Sequence, residues 1–176
     1  MKKLGLALGI CLLIIGCGEK DTTFLITEKS VGSLLSETTV ANLNQVFAQD
    51  SISKDTASSD SGKIKIYQKN GKHLLTLTSS SDSIPTIENI RIFDNRYKTD
   101  KGIGLNSTFQ DIQENYSIKK IVTTINSIVI FPKESNLYFT IDKEELPSNL
   151  RYTTSKVEAV QIPPTAKIKY LMLGWE

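Results

Sequence analysis

Histidine and cysteine are nearly absent from this chain. It has one histidine, His73, and two cysteines, Cys11 and Cys17. A single histidine cannot anchor a histidine-rich metal site, and zinc sites need several Cys or His ligands. An excess of one charge is also missing, because 21 basic residues face 19 acidic ones. That balance argues against a nucleic-acid footprint and against a polybasic membrane patch. Long apolar runs are missing too. The longest, Leu4 to Ile15, has about 12 residues, whereas a spanning helix needs roughly 20. There is no Gly-x-Ser-x-Gly elbow, Walker loop or dinucleotide fingerprint. No internal repeat or heptad pattern occurs.

What the first residues do contain is ordered. Lys2 and Lys3 precede the apolar run, which ends in Ile14-Ile15-Gly16-Cys17. A short cationic segment, a short apolar segment and a small residue form a secretory signal. The final four residues resemble the lipobox of bacterial lipoproteins. The resemblance implies cleavage between Gly16 and Cys17 and a lipid on the Cys17 sulfur, with more than one acyl chain giving stable anchoring. Residues 1–16 are then a signal peptide, 17–23 a lipidated tether and 24–176 a single domain. Cys11 leaves with the signal, so no internal disulfide is available. Losing Lys2 and Lys3 takes the 21 basic residues to 19, equal to the 19 acidic ones. The expected location is the cell envelope, most simply the outer membrane, on its periplasmic or outer surface. Gly18-Glu19-Lys20-Asp21 partly resembles the acidic surface-export signal of Bacteroidota lipoproteins.

About 160 mature residues suit one core. Phe24 to Ile26 reads as a strand and Glu28 to Ser36 as a turn. Val40, Leu43, Val46 and Phe47 have helical spacing. The Ser- and Asp-rich stretch Gln49 to Gly62 reads as a loop. Lys63 to Gln68 and His73 to Thr78 flank Asn70-Gly71, a strong hairpin signal. Ile87 to Phe93 is another strand. Ser107 to Gln110 fits a capping box opening a helix with Phe109, Ile112 and Tyr116 on one face. Ile118 to Ile125, Ser127 to Phe131, Leu137 to Ile141 and Ala166 to Leu173 complete the strands. The expected fold is α+β: a single curved antiparallel sheet of about eight strands, with two short helices packed on one face.

Two runs carry a wider resemblance: Ile90 to Phe109, with its Tyr97-Lys98-Thr99-Asp100-Lys101-Gly102-Ile103-Gly104 turn, and Ile162 to Lys169. They resemble small uncharacterised exported lipoproteins of Bacteroidota, over most of Ile87 to Trp175. A more distant similarity is to stress-regulated envelope lipoproteins of enteric bacteria. The family implies no activity. It does imply O-glycosylation at Asp-Ser/Thr-x motifs, with candidates at Thr22, Ser51, Thr56 and Ser83, all in expected loops or the tether.

Among chemical constellations, the Gly102 to Thr108 turn draws most notice. A Gly-rich turn entering a helix can hold an anion on free amides, and Arg96, Lys98 and Lys101 lie near it. Gly102 and Gly104 equally suit turn geometry or close packing. Asp94 to Lys98 places cations where calcium ligands belong, which rules out a calcium loop. No carboxylate pair stands out for glycoside hydrolysis. His73 is expected to be a solvent-facing strand residue, and Trp175 either a lid on the sheet or a contact residue. No metal, cofactor or catalytic residue is assigned. The expectation is a membrane-anchored, non-enzymatic binding or accessory module with a protein or surface-ligand partner. The alternative is an envelope hydrolase whose carboxylate or serine residues are assembled by the fold.

Overall fold

The computed structural model describes residues 21–54 and 62–175. Twelve strands and two short helices occur among them. The strands are β1 (Leu25–Ile26), β2 (Ser30–Val31), β3 (Leu34–Leu35), β4 (Asp50–Lys54), β5 (Lys63–Gln68), β6 (His73–Ser79), β7 (Ile87–Ile92), β8 (Lys98–Thr99), β9 (Ile118–Thr123), β10 (Ser127–Pro132), β11 (Leu137–Asp142) and β12 (Ile168–Gly174). The helices are α1 (Leu43–Val46) and α2 (Phe109–Asn115). No described helix is long and apolar enough to cross a membrane.

The strands make two sheets, which corrects the expectation of one. The large sheet has the order β4-β5-β6-β7-β12-β11-β10-β9, antiparallel throughout. It is two four-strand meanders laid edge to edge, with β7 against β12. The small sheet has the order β3-β2-β1-β8. Its strands β2 and β3 fall in the stretch read as a turn. They are two residues each, too short to show alternation, and exist because β1 offers β2 a backbone partner and β2 offers one to β3, while β8 pairs with the other edge of β1. Strand β4 likewise replaces part of the expected loop. Its sequence is polar because it is an edge strand with only Ile52 turned towards the core. Polar edges are a common defence against intermolecular pairing.

Alternation in the large sheet fixes which face is buried. Ile66, Leu75, Ile92, Leu171 and Phe139 follow one another as cross-strand partners and are at most 1% exposed. The small sheet and helices cover this face with Ile26, Val31, Leu34, Leu43, Phe109 and Ile112, all in the same core. The expected helix over Thr38 to Phe47 divides into a 3-10 turn at Val40–Asn42 and the single turn of α1. Helix α2 opens on a capping box one residue later than expected. Thr108 caps it and Asp111 reciprocates, with the Thr108 amide donating to Asp111 Oδ2 at 2.7 Å. Asp111 brings a charged acceptor near the helix start, while Ser107 is buried in the preceding turn and accepts from the Gly104 amide. Trp175 is 7% exposed, and its indole donates to the Glu28 carbonyl, so the C-terminal strand is tied to the first hairpin.

Candidate functional site

The turn that drew attention in the sequence is locally self-satisfied. The Gly102 amide donates to the Thr99 carbonyl, Ile103 to Thr99 Oγ1, and Gly104 to Ser107 Oγ. Beyond them, the Phe109 amide donates to the Ala166 carbonyl. Gly102 has φ +80°, a conformation that favours glycine. A Cβ at Gly104 would lie 2.6 Å from the Tyr97 carbonyl oxygen, so the backbone packs too closely there for a side chain. The three cations do not converge on the turn. Arg96 clamps the fully buried Asp94 and lies over the Phe24 ring. Lys101 donates to the Asn115 carbonyl beside the Tyr116 ring. The Lys98 side chain lies against Gly104.

Asp94 is the most strongly perturbed carboxylate in this region. Burial pushes its pKa up, but hydrogen bonds from Arg96 and Lys72 outweigh that and bring it from 3.8 down to about 2. The pair is a structural clamp joining the β5–β6 hairpin to the turn before β8.

The O-glycosylation candidates are dispersed. Thr22 is exposed in the tether region and Ser83 in the loop after β6. Ser51 is exposed but lies in edge strand β4 instead of a loop. Thr56, and with it Gly16 and Cys17, lies outside the described residues.

A cleft of about 480 Å³ beside Tyr116 gathers Glu28, Asp100 and Glu134. Glu28 Oε2 already accepts from the Asn136 amide, and Lys101 is engaged as above. Among the described residues no three His, Cys, Asp or Glu side chains are grouped as metal ligands.

A different surface comes together on the open face of the large sheet. Outward residues on neighbouring strands form a row: Ser53, Lys65, Thr76, Arg91, Met172 and Tyr138 are successive cross-strand partners. Phe131 stacks on Tyr138 with ring centroids 5.7 Å apart, and Lys120 lies over Phe131. Beside this row runs a stack. Tyr67 lies against His73 at 4.7 Å, and His73 against Phe93 at 3.9 Å, with ring planes 25° and 20° apart. The Arg91 guanidinium sits 4.8 Å from the Phe93 centroid and 3.7 Å from that of Tyr170. Both distances are within cation–π range.

A depression of about 470 Å³ follows this stack, lined by Lys63, Lys65, Tyr67, His73, Arg91 and Phe93 among others, with no carboxylate in its lining among the described residues. Among the described residues the Arg91 side chain has no hydrogen-bond or ion-pair partner, and its Nε is sealed from solvent without an acceptor. His73 is half-buried between two rings, which corrects the expectation of a solvent-facing residue. Burial lowers its pKa, the Leu75 carbonyl raises it, and the Lys65 and Arg91 charges lower it further. The ring is therefore neutral at pH 7, bonding through Nε2 to Leu75 O and Thr76 Oγ1. It has no carboxylate partner to orient it as a general base.

Each of these residues is unremarkable in sequence. The signal that could have found the site was the alternation of outward positions in four strands read together, as Lys65, Thr76, Arg91 and Met172.

The fold is that of a small α+β protein built on an eight-stranded antiparallel sheet with one face covered. No family model and no curated protein matches the chain. Among solved structures it is similar to an uncharacterised protein, YfeY from Escherichia coli. That similarity has a TM-score of 0.54 at 13% identity, over 84% of this chain and 97% of the other. The likeness concerns the fold alone.

Proposed function

We propose that the chain is a lipid-anchored cell-envelope protein whose domain binds an anionic ligand, without catalysis, through the open face of the large sheet. The observation that carries this reading is the cationic depression around Arg91, whose lining includes no carboxylate among the described residues. A folded protein normally pairs its half-buried charges. Here a guanidinium is held by two aromatic rings and by no anion. The signal and Cys17 supply the anchor and the envelope location. The tether of six residues, Gly18 to Thr23, keeps the domain near the membrane surface.

The test is photo-crosslinking in cells. A photoreactive residue at Phe93 or Met172 should give adducts, and the same residue at Tyr152, which is 92% exposed, should not. Arg91→Gln should abolish the adducts, and Cys17→Ala should release the protein from the membrane fraction. Absence of adducts from the face, together with turnover of an envelope glycan or peptide that one polar substitution abolishes, would establish the hydrolase instead.

A further inference from the structure

We infer that the open face takes an anionic amphiphile, with its acidic head over Arg91 and Lys65 and its apolar chain laid across Met172, Tyr138 and Phe131. The inference rests on the binding-module reading and adds the ligand class.

The face is graded from β5 to β10, and Lys120, the cross-strand partner of Phe131 on β9, borders its apolar end. The half formed by β5, β6 and β7 carries Lys63, Lys65 and Arg91. The half formed by β12, β11 and β10 carries Met172, Tyr138 and Phe131, each half-buried on the open side, with Val129 beside them. Arg91 and Met172 are direct cross-strand partners, so the cationic and apolar halves meet without a gap. From β7 to β10 is three strand steps, about 14 Å at the usual strand spacing. That length suits an acyl chain lying across the strands.

The ring geometry selects an anion for the head. His73 is stacked on both sides, by Tyr67 and Phe93, and Arg91 lies over Phe93, so the ring edges make up much of what the stack offers a ligand. Ring edges carry the positive end of the quadrupole. They add to the positive field of the cations. A guanidinium without a counterion gains charge-assisted hydrogen bonds when a phosphate or carboxylate arrives. A bare anion would leave the apolar half without a role. A neutral hydrocarbon would leave Arg91 uncompensated.

The experiment is isothermal titration of the chain from Gly18 to Glu176, which retains every core residue. Probes are used below their micelle concentrations: dodecyl phosphate, octyl phosphate, glycerol 3-phosphate and the neutral dodecyl maltoside. Dodecyl phosphate should bind at least tenfold more tightly than each of the other three. Arg91→Gln and, separately, Lys65→Gln should weaken dodecyl phosphate about tenfold and three-fold or more respectively, in the range of a lost charged contact. Phe131→Ser should weaken dodecyl phosphate while leaving glycerol 3-phosphate unchanged. Unaltered melting temperatures confirm that the variants are folded. Glycerol 3-phosphate binding as tightly as dodecyl phosphate would reduce the site to a simple anion site and overturn the inference. Equal binding of dodecyl maltoside would overturn it in favour of an apolar patch, and so would no binding by any probe. If it fails while crosslinks from Phe93 and Met172 persist, the binding-module reading stands and the amphiphile does not.

Discussion

Replacing Asp94 by Asn removes a buried charge and keeps the side-chain shape. The carboxylate is 0% exposed and holds Arg96 through Nε and Nη2, the Arg96 amide at 2.9 Å, and Lys72 Nζ at 3.1 Å. Its folded pKa of about 2 lies below the ordinary 3.8. At roughly 1.4 kcal/mol per pH unit, that difference is worth about 2 kcal/mol. Both cations are more than a third exposed, so solvent screening reduces the contribution to about 1–2 kcal/mol. Because the folded pKa is depressed, the folded state binds fewer protons than the unfolded chain between about pH 4 and pH 2. The contribution is therefore complete above pH 4 and is lost as pH falls towards 2. Thermal unfolding at pH 7 should show Asp94→Asn melting about 2–8 °C lower, given some 2–4 °C per kcal/mol for a domain of this size. Near pH 2 the two proteins should converge. A gap of the same size at pH 7 and pH 2.5 would refute the electrostatic reasoning. It would mean that the Asn amide disrupts the turn by its shape or donors alone.

Gly104→Ala should destabilise by about 1–3 kcal/mol through overpacking, because the new Cβ meets the Tyr97 carbonyl and the Lys98 side chain; chemical denaturation measures this. In contrast, Gly71 has open space around its Cβ position but φ +85°, so Gly71→Ala should cost only about 1 kcal/mol of backbone strain, in the range expected for a left-handed residue. The His73 imidazole should titrate below 6.5 by NMR, and Arg91→Gln should move it upward by removing one of the two nearby charges. Since that folded pKa is depressed, the stability His73 contributes is present above 6.5 and is lost as pH falls through the folded value. Titration at or above 6.5 would mean that the ring does not sit between Tyr67 and Phe93.

Several elements were legible because they depend on neighbours in sequence. The β5–β6 hairpin followed from Asn70-Gly71 between alternating strands, and Gly71 does take a positive φ. The capped helix α2 was legible to within one residue. Strand β4 was not, because an edge strand of Asp, Ser and Lys has the composition of a loop. Strands β2 and β3 were not, because two residues carry no period. The proposed binding face was illegible for a related reason. Lys65, Arg91, Met172 and Tyr138 lie on four strands spread over more than a hundred positions. Each occupies an ordinary outward position in its own strand.

The sequence by itself determined the hairpins, the apolar alternation and the near-balance of charge, 21 basic residues against 19 acidic ones. Those features are local or additive, and an additive property such as net charge says nothing about distribution. Tertiary structure alone decided that strands divide between two sheets, that β7 meets β12, and that cations gather on one face. Pairing of distant strands requires backbone partners and a shared core, and only the folded chain brings Arg91 beside Tyr170 and Met172.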